Sequence, residues 1–275
     1  MDVRLYIPHP ALLEYVQNIS TVEFTLPEGT GDVVTPYPPT PFQSLLFYCN
    51  HPVSMCKTGE DDFKKEPLSV LIGPQYSRVN IKVHQQLRAI RVDFFPGAMH
   101  RLFKVPMHQL FDKAFGLDCF HSPGTGSIDE QLQNTASLEE GKKIVERFLL
   151  HLAADSRQLL PFDRAMQVLL NNSGNMSIDS IASLSCLSLK QFERVCKERI
   201  GMNPKLYARI LKFSKAYILH ERSPQLSWIN IAHEAGYYDQ MHMIRDFRVF
   251  AGVNPSVIEQ QLLSTPLRMQ KDLVC

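Results

Sequence analysis

From residue 177 onward, apolar side chains return every three or four positions, and the whole sequence of events happens twice. Ile178, Ile181 and Leu184 mark one helical face, followed by a second with Phe192, Val195 and Cys196. About fifty residues on, Trp228, Ile231 and Ala235 are followed by Met243, Phe247 and Phe250. The offset between the copies is 50 residues at Ser177 and Ser227, and 51 at Gly201 and Gly252, because the second copy carries one extra residue at its turn. Ser177, Ser188, Ser227 and Asp239 stand where helix N-caps are needed. Gly201 and Gly252 stand where a left-handed stop is needed, with Pro204 and Pro255 just beyond. A repeat of this kind marks a duplicated supersecondary unit. Each unit reads as helix, tight turn, helix, with small Ala182 and Ala232 allowing close approach. That is the build of a helix-turn-helix, whose second helix enters the DNA major groove.

Between the copies, residues 205–222 read as one continuous helix with Leu206, Ile210, Phe213 and Tyr217 inward. A rigid helix fixes the distance between two modules, so that one chain can enter successive major grooves about 34 Å apart.

The first half has a different rhythm. Val22–Phe24, Ser44–Tyr48, Leu68–Ile72, Val79–Val83 and Ile90–Phe94 are short, alternating or apolar, and separated by Pro and Gly. They predict a β-sandwich or barrel. Helical spacing follows at Ala98–Phe103, at Met107–Phe111 and from Ile128 to Ala153. Residues 122–127 read as a surface loop, without the Lys-Ser/Thr of a phosphate loop. The stripe Leu138, Ile144, Val145, Phe148, Leu149 and Leu152 serves either packing on its own domain or a dimer seam. Asp155–Pro161 is the expected boundary, with freeing or ordering of this linker as one conceivable route for a signal. The predicted class is therefore α+β in two domains. A β-rich sensor or dimerisation domain with C-terminal helices covers 1–155. An all-α domain, with two helix-turn-helix modules joined by a long helix, covers 162–265 and opens with a helix over 162–170.

Composition adds little to this picture. A length of 275 residues suits two domains, and 44% hydrophobic with 21% charged residues is ordinary for a globular chain. No apolar run reaches membrane-spanning length, and the proline-rich start is unlike a secretory signal, so a cytoplasmic protein with no membrane partner is expected. The six cysteines form no CxxC pair and are expected as reduced thiols, with Cys186 and Cys196 acting as small hydrophobes. A net charge of +1 is uninformative, but its distribution is not. Lys190, Arg194, Lys197, Arg199, Lys205, Arg209, Lys212, Lys215 and Arg222 oppose only Glu193, Glu198 and Glu221. A basic stripe over a helix-turn-helix is the footprint of phosphate binding.

The spacing Ile181-Ala182-x-x-x-Cys186-x-Ser188-x-x-x-Phe192-x-Arg194, then Gly201-x-x-Pro204 and Lys212-Phe213-x-x-Ala216, resembles the first module and linker of AraC/XylS-type transcription regulators. The resemblance strengthens through Ile231-Ala232-x-x-x-Gly236-Tyr237-x-Asp239-Gln240-x-His242-x-x-Arg245-x-Phe247-Arg248-x-x-x-Gly252-x-x-Pro255. Phe94–Ala98 and Val105-Pro106 are similar to the sensor-like domain of one branch of that family. The chain departs from the family at Cys186, where Gly is usual, and at Met243, where Phe or Leu is usual. The resemblance implies base contacts from Lys190, Glu193, Arg194, Gln240, Met241, Ile244 and Arg245. Gln191, Lys197, His242 and Arg248 are then phosphate or secondary contacts. Separately, any contribution of Lys212 is expected to be even across sequences. Ion pairing on the helix surface, for example of Arg245 with Asp246, is the structural alternative.

The expected function is sequence-specific DNA binding in transcription control, directed by a small molecule or partner through the N-terminal domain. Duplex DNA is the primary partner. A small-molecule effector, RNA polymerase and a second copy of the chain are further candidates. An N-domain that only dimerises is the nearest alternative. A cupin-like metalloenzyme fused to a DNA-binding domain is a remote one, since His51, His84, His100, His108 and His121 have no ligand spacing. No enzyme activity, cofactor, metal site or catalytic residue is expected.

Overall fold

The computed structural model describes residues 2–120 and 125–263, together with Leu267, Met269, Gln270, Asp272 and Leu273. The chain opens with β1 (Asp2–Tyr6), β2 (Val16–Thr25), β3 (Val33–Tyr37), β4 (Ser44–Tyr48), β5 (Ser54–Lys57), β6 (Lys64–Lys65), β7 (Ser69–Ile72), β8 (Val79–Val83) and β9 (Gln86–Phe94). Helix α1 (Ala98–Phe103), a 3-10 turn at Met107–Leu110 and β10 (Ala114–Gly116) follow, then α2 (Thr125–Gln133) and α3 (Leu138–Ala154). The second half holds α4 (Pro161–Asn171), α5 (Ile178–Leu184), α6 (Leu189–Arg199), α7 (Pro204–Arg222), α8 (Trp228–Glu234), α9 (Gln240–Phe250) and α10 (Pro255–Leu263).

Two antiparallel sheets face each other in the first half. One has the order β1-β2-β9-β4-β7-β10 and the other β3-β8-β5-β6. Side-chain alternation divides the larger sheet between two environments. Tyr48, Val70, Leu87 and Ala89 point at the smaller sheet, meeting Tyr37, Val53, Ile81 and Val83. Leu45, Phe47, Leu71, Ile90, Val92 and Phe94 point the other way, onto a layer containing α1, α2 and α3. The α3 stripe is spent here: Val145, Phe148, Leu149 and Leu152 are buried in this core, and Leu138 and Ile144 pack against it. It serves its own domain, as one of its two readings held.

Every strand expected from the sequence is present. β1, β3, β5, β6 and β10 went unread, being short, polar or interrupted by Pro36, which β3 tolerates as an edge strand. The expected loop at 122–127 is a helix over Thr125–Ser127, and its first residues lie outside the described ones.

The helical half has its own core. Phe162, Phe192, Phe213, Phe247 and Phe250 are fully buried within it, alongside Ile181, Ile210, Ile231 and Met243. Burying each large side chain stabilises by about 1.5–3 kcal/mol. Leu184 is an exception to the expected face, being 53% exposed at the end of α5. The hydroxyls of Ser177, Ser188 and Ser227 and the carboxylate of Asp239 accept from backbone amides at the starts of α5, α6, α8 and α9. Left-handed turns separate the helices of each pair, at Cys186 (φ 57°) in the first and Gly236 (φ 83°) in the second. Cys186 is thus an exposed residue of the turn, at the position where the resembled family usually has Gly, rather than a packed small hydrophobe.

The two halves are not hung on a loose linker. Ser156 bonds the Tyr15 hydroxyl at 2.6 Å, and Arg157 and Arg101 exchange hydrogen bonds through N–H donors and main-chain carbonyls. A buried Asp163–Arg199 pair, bidentate at 2.8 and 3.0 Å, ties α4 to the end of α6. It lies so close to Gly97 that a Cβ there would sit 2.3 Å from the Asp163 carboxylate.

Candidate nucleic-acid interface

Helices α6 and α9 occupy equivalent places in the two copies, and each shows the same division of labour. The inner face is core: Phe192 and Cys196 in α6, Met243, Phe247 and Phe250 in α9. The outer face of α6 exposes Lys190, Gln191, Glu193, Arg194 and Lys197. The outer face of α9 exposes Met241, His242, Arg245 and Arg248, with Gln240 and Ile244 half-buried. Both helices are joined through α7, whose 19 residues span about 28 Å at 1.5 Å per residue.

Not every exposed group is equally available. Among the described residues, Arg194 and Arg245 have no ion-pair partner, and Asp246 is not the partner of Arg245. Asp246 is buried, receiving Arg209 at 2.7 Å and the Tyr237 hydroxyl at 3.2 Å. Gln191 closes the capping box of α6, its side-chain oxygen accepting from Ser188. The His242 ring lies 3.1 Å from Asp239, and Arg248 donates to Asn254 at 2.7 Å. The carboxyl of Asp239 is held below its usual range, chiefly by the His242 backbone amide.

The basic stripe is thinner than its sequence suggests. Arg199 is paired with Asp163, Arg209 with Asp246, Lys212 donates to the Gly236 carbonyl at 3.1 Å, and Arg222 donates to the Leu273 carbonyl. These four cations hold the fold together. Lys212 in particular fastens the turn of the second module.

Residues 181–261 match the family model of a helix-turn-helix domain, and residues 4–115 match a domain of unknown function, DUF6597. The C-terminal domain is an AraC-type double helix-turn-helix domain. An uncharacterised HTH-type transcriptional regulator of Haemophilus influenzae is 24% identical over 180 residues, a match spanning 63% of this chain and 59% of the relative. Among solved structures, ToxT from Vibrio cholerae is similar over 88% of this chain and 98% of its own, with 10% identity and a TM-score of 0.49. A ToxT structure with bound unsaturated fatty acid gives a TM-score of 0.45 at 10% identity, over 88% and 100% of the two chains. The AraC-like transcriptional activator CuxR covers 71% of this chain and 79% of its own, with 9% identity and a TM-score of 0.27.

The AraC-type domain is gripped by the β domain at matching points of its two copies. Gln43 donates to the carbonyl of Ile200 at 3.0 Å, and Arg78 donates to the carbonyl of Ala251 at 3.3 Å. Ile200 and Ala251 are the C-caps of α6 and α9 and lie 51 residues apart, the offset of the repeat. Tyr76 packs edge-on against Phe250. Gly201 comes so close to Pro74 that a Cβ would lie 2.4 Å from the proline ring.

Apart from that of Gln43, these contacts come from one stretch, residues 73–79, and alternate along it. Pro74, Tyr76 and Arg78 face the AraC-type domain, while Gln75, Ser77 and Val79 line a cavity of about 490 Å³ between the two sheets. Asp112, itself left-handed at φ 55°, fastens the stretch: its carboxylate accepts from the Tyr76 and Ser77 amides at 3.0 and 2.8 Å, the Ser77 hydroxyl and Lys57. Burial would raise the Asp112 carboxyl, but the Ser77 and Tyr76 bonds and Lys57 outweigh it and hold it below its usual range. No sequence signal singled out Gln43, Arg78 or Asp112, because their partners are distant in the chain and each sits in a polar, aperiodic stretch. Among the described residues, no three His, Cys, Asp or Glu side chains converge as metal ligands.

Proposed function

We propose that this chain regulates transcription by reading duplex DNA with α6 and α9. The observation that carries the reading is the paired geometry: two equivalent helices, buried on one face and capped in the same way, present uncommitted Arg194 and Arg245 at equivalent positions. Arginine can bond guanine O6 and N7 bidentately, and Lys190 offers a less directional donor to the same atoms. Gln240 suits adenine, Glu193 can accept from cytosine N4, and Met241 and Ile244 can pack on a thymine methyl. Lys197 remains a free-standing phosphate contact. Gln191, His242 and Arg248 are weaker candidates, since each has an intramolecular partner.

Control by a small molecule is the finer part of the proposal. Its support is the alternating stretch 73–79, which touches the cavity with one set of side chains and both recognition-helix ends with the other. A ligand that moves Gln75 or Ser77 thereby changes the seating of Tyr76 and Arg78, and so the relation between α6 and α9.

Arg194→Ala and Arg245→Ala are each expected to weaken binding at the cognate site by about 1–3 kcal/mol, with discrimination lost at one base step per variant. Binding curves on the cognate duplex and its single-base variants measure both. Unchanged affinity in both variants would remove these helices from the role.

A further inference from the structure

The cavity between the sheets carries its own record of what fits it. Most of its wall is apolar, with Val22, Leu46, Val70, Ile81, Leu87 and Ala89 typical of it. Asn18 and Ser20 line it too, on the same face of β2 as Val22. The register of β2 against β9 shifts between Val16 and Asn18, at this end of the cavity wall. Asn18 is only 7% exposed, yet neither its amide nitrogen nor its amide oxygen has a hydrogen-bond partner. A buried amide left unsatisfied on both sides is costly, and such groups call for an explanation, a missing ligand among them.

The neighbouring charge is already spent. Arg91 reaches the cavity beside Ser20, its register partner, but its guanidinium bonds Asp93 at 2.7 Å, Ser44 at 3.1 Å and the Tyr37 hydroxyl. Elsewhere in the wall, Lys57, Lys64 and Lys113 are outnumbered by Glu60, Asp62, Glu66, Asp112 and Asp272, and Lys57 is itself paired with Asp112. A buried carboxylate would find no uncommitted cation at the Asn18 end. An ammonium group would meet the Arg91 guanidinium.

We infer that the cavity binds an uncharged amphipathic molecule, its apolar body between the sheets and a hydroxyl, carbonyl or amide head on Asn18. The Asn18 amide offers one donor side and one acceptor side, which an uncharged head can meet without ionic partners. The volume lies within the range of small-molecule sites. This inference rests on the reading of the cavity as the effector site, and it adds the chemical class.

The test uses the full chain without DNA. N-phenyl-1-naphthylamine, an uncharged fluorescent probe, reports occupancy, and 1-decanol, decanoate and decylammonium compete for it at about neutral pH. The alcohol is expected to displace the probe at the lowest concentration. Asn18→Val is expected to weaken decanol by about five- to tenfold, the worth of a buried hydrogen bond. The same variant should leave probe affinity nearly unchanged and the melting temperature equal or higher, since it removes an unsatisfied group. Ala89→Phe, which fills the cavity from β9, should abolish probe binding. Tighter binding of decanoate or decylammonium would overturn the chemical class, and an unaltered decanol affinity in Asn18→Val would overturn the placement of the head. Absence of probe binding by the wild-type chain would overturn the cavity as an effector site. Each of these leaves DNA reading by α6 and α9 to stand or fall on its own measurements.

Discussion

At the scale of single residues, Cys186 shows how a departure from pattern becomes a physical statement. It holds a left-handed conformation at φ 57°, the place that Gly236 takes in the second copy. A Cβ in that region costs about 1–2 kcal/mol, and the side chain is exposed, so little packing offsets it. Cys186→Gly is therefore expected to raise stability by roughly 1 kcal/mol, read as a higher denaturant midpoint with an unchanged slope. A lower midpoint would mean that the thiol makes a contribution the turn geometry does not reveal. Residue identity also carried the caps and the paired arginines into view from the sequence, because each has a positional signature. The commitments of Arg199, Arg209, Lys212 and Arg222 had none: a cation in a stripe reads alike whether it meets phosphate or a carbonyl elsewhere in the fold.

At the scale of elements, periodicity was a faithful guide wherever a segment was long enough to show it. The helices α4 to α9, the α3 stripe and all or part of β2, β4, β7, β8 and β9 were legible. Short elements such as β5, β6 and β10 were not, since two to four residues cannot establish a period of two. The stretch from Gly73 to Arg78 was equally silent, lying between β7 and β8 with a Pro and mixed polarity. Its order depends on Asp112. That carboxyl has a folded value held below its unfolded one, so its stabilising contribution is complete above the ordinary aspartate range and is lost as pH falls through the lowered value. Asp112→Asn is expected to weaken this acid-dependent part of stability and to loosen residues 73–79. Amide exchange at Tyr76 and Ser77, faster in the variant than in the wild type at neutral pH, would report it. Protection equal in both would show that the amides do not depend on the carboxylate charge.

At the scale of the whole molecule, the arrangement is of two halves with interlocked surfaces. The contacts that join them include Gln43 to Ile200, Arg78 to Ala251, Gln270 to Pro38 and Leu267 in the core between the two sheets. They link residues far apart in the chain, which no local pattern encodes. The linker that the sequence offered as a signal route is pinned to α1 and to Tyr15. Residues 73–79 instead have contacts on both sides, with the cavity and with Gly201 just beyond α6 and Ala251 at the end of α9. Helices α6 and α9, held at equivalent carbonyls by the same β domain, have a defined spacing, and under the proposed function that spacing is expected in the DNA selected. The most direct measurement is selection of the full chain on random duplex DNA at near-physiological salt, followed by sequencing. Two boxes centred about one helical turn apart, roughly 34 Å, are expected if α6 and α9 both read bases. Weak, steeply salt-dependent binding with no enriched sequence would contradict that reading and leave only non-specific charge attraction.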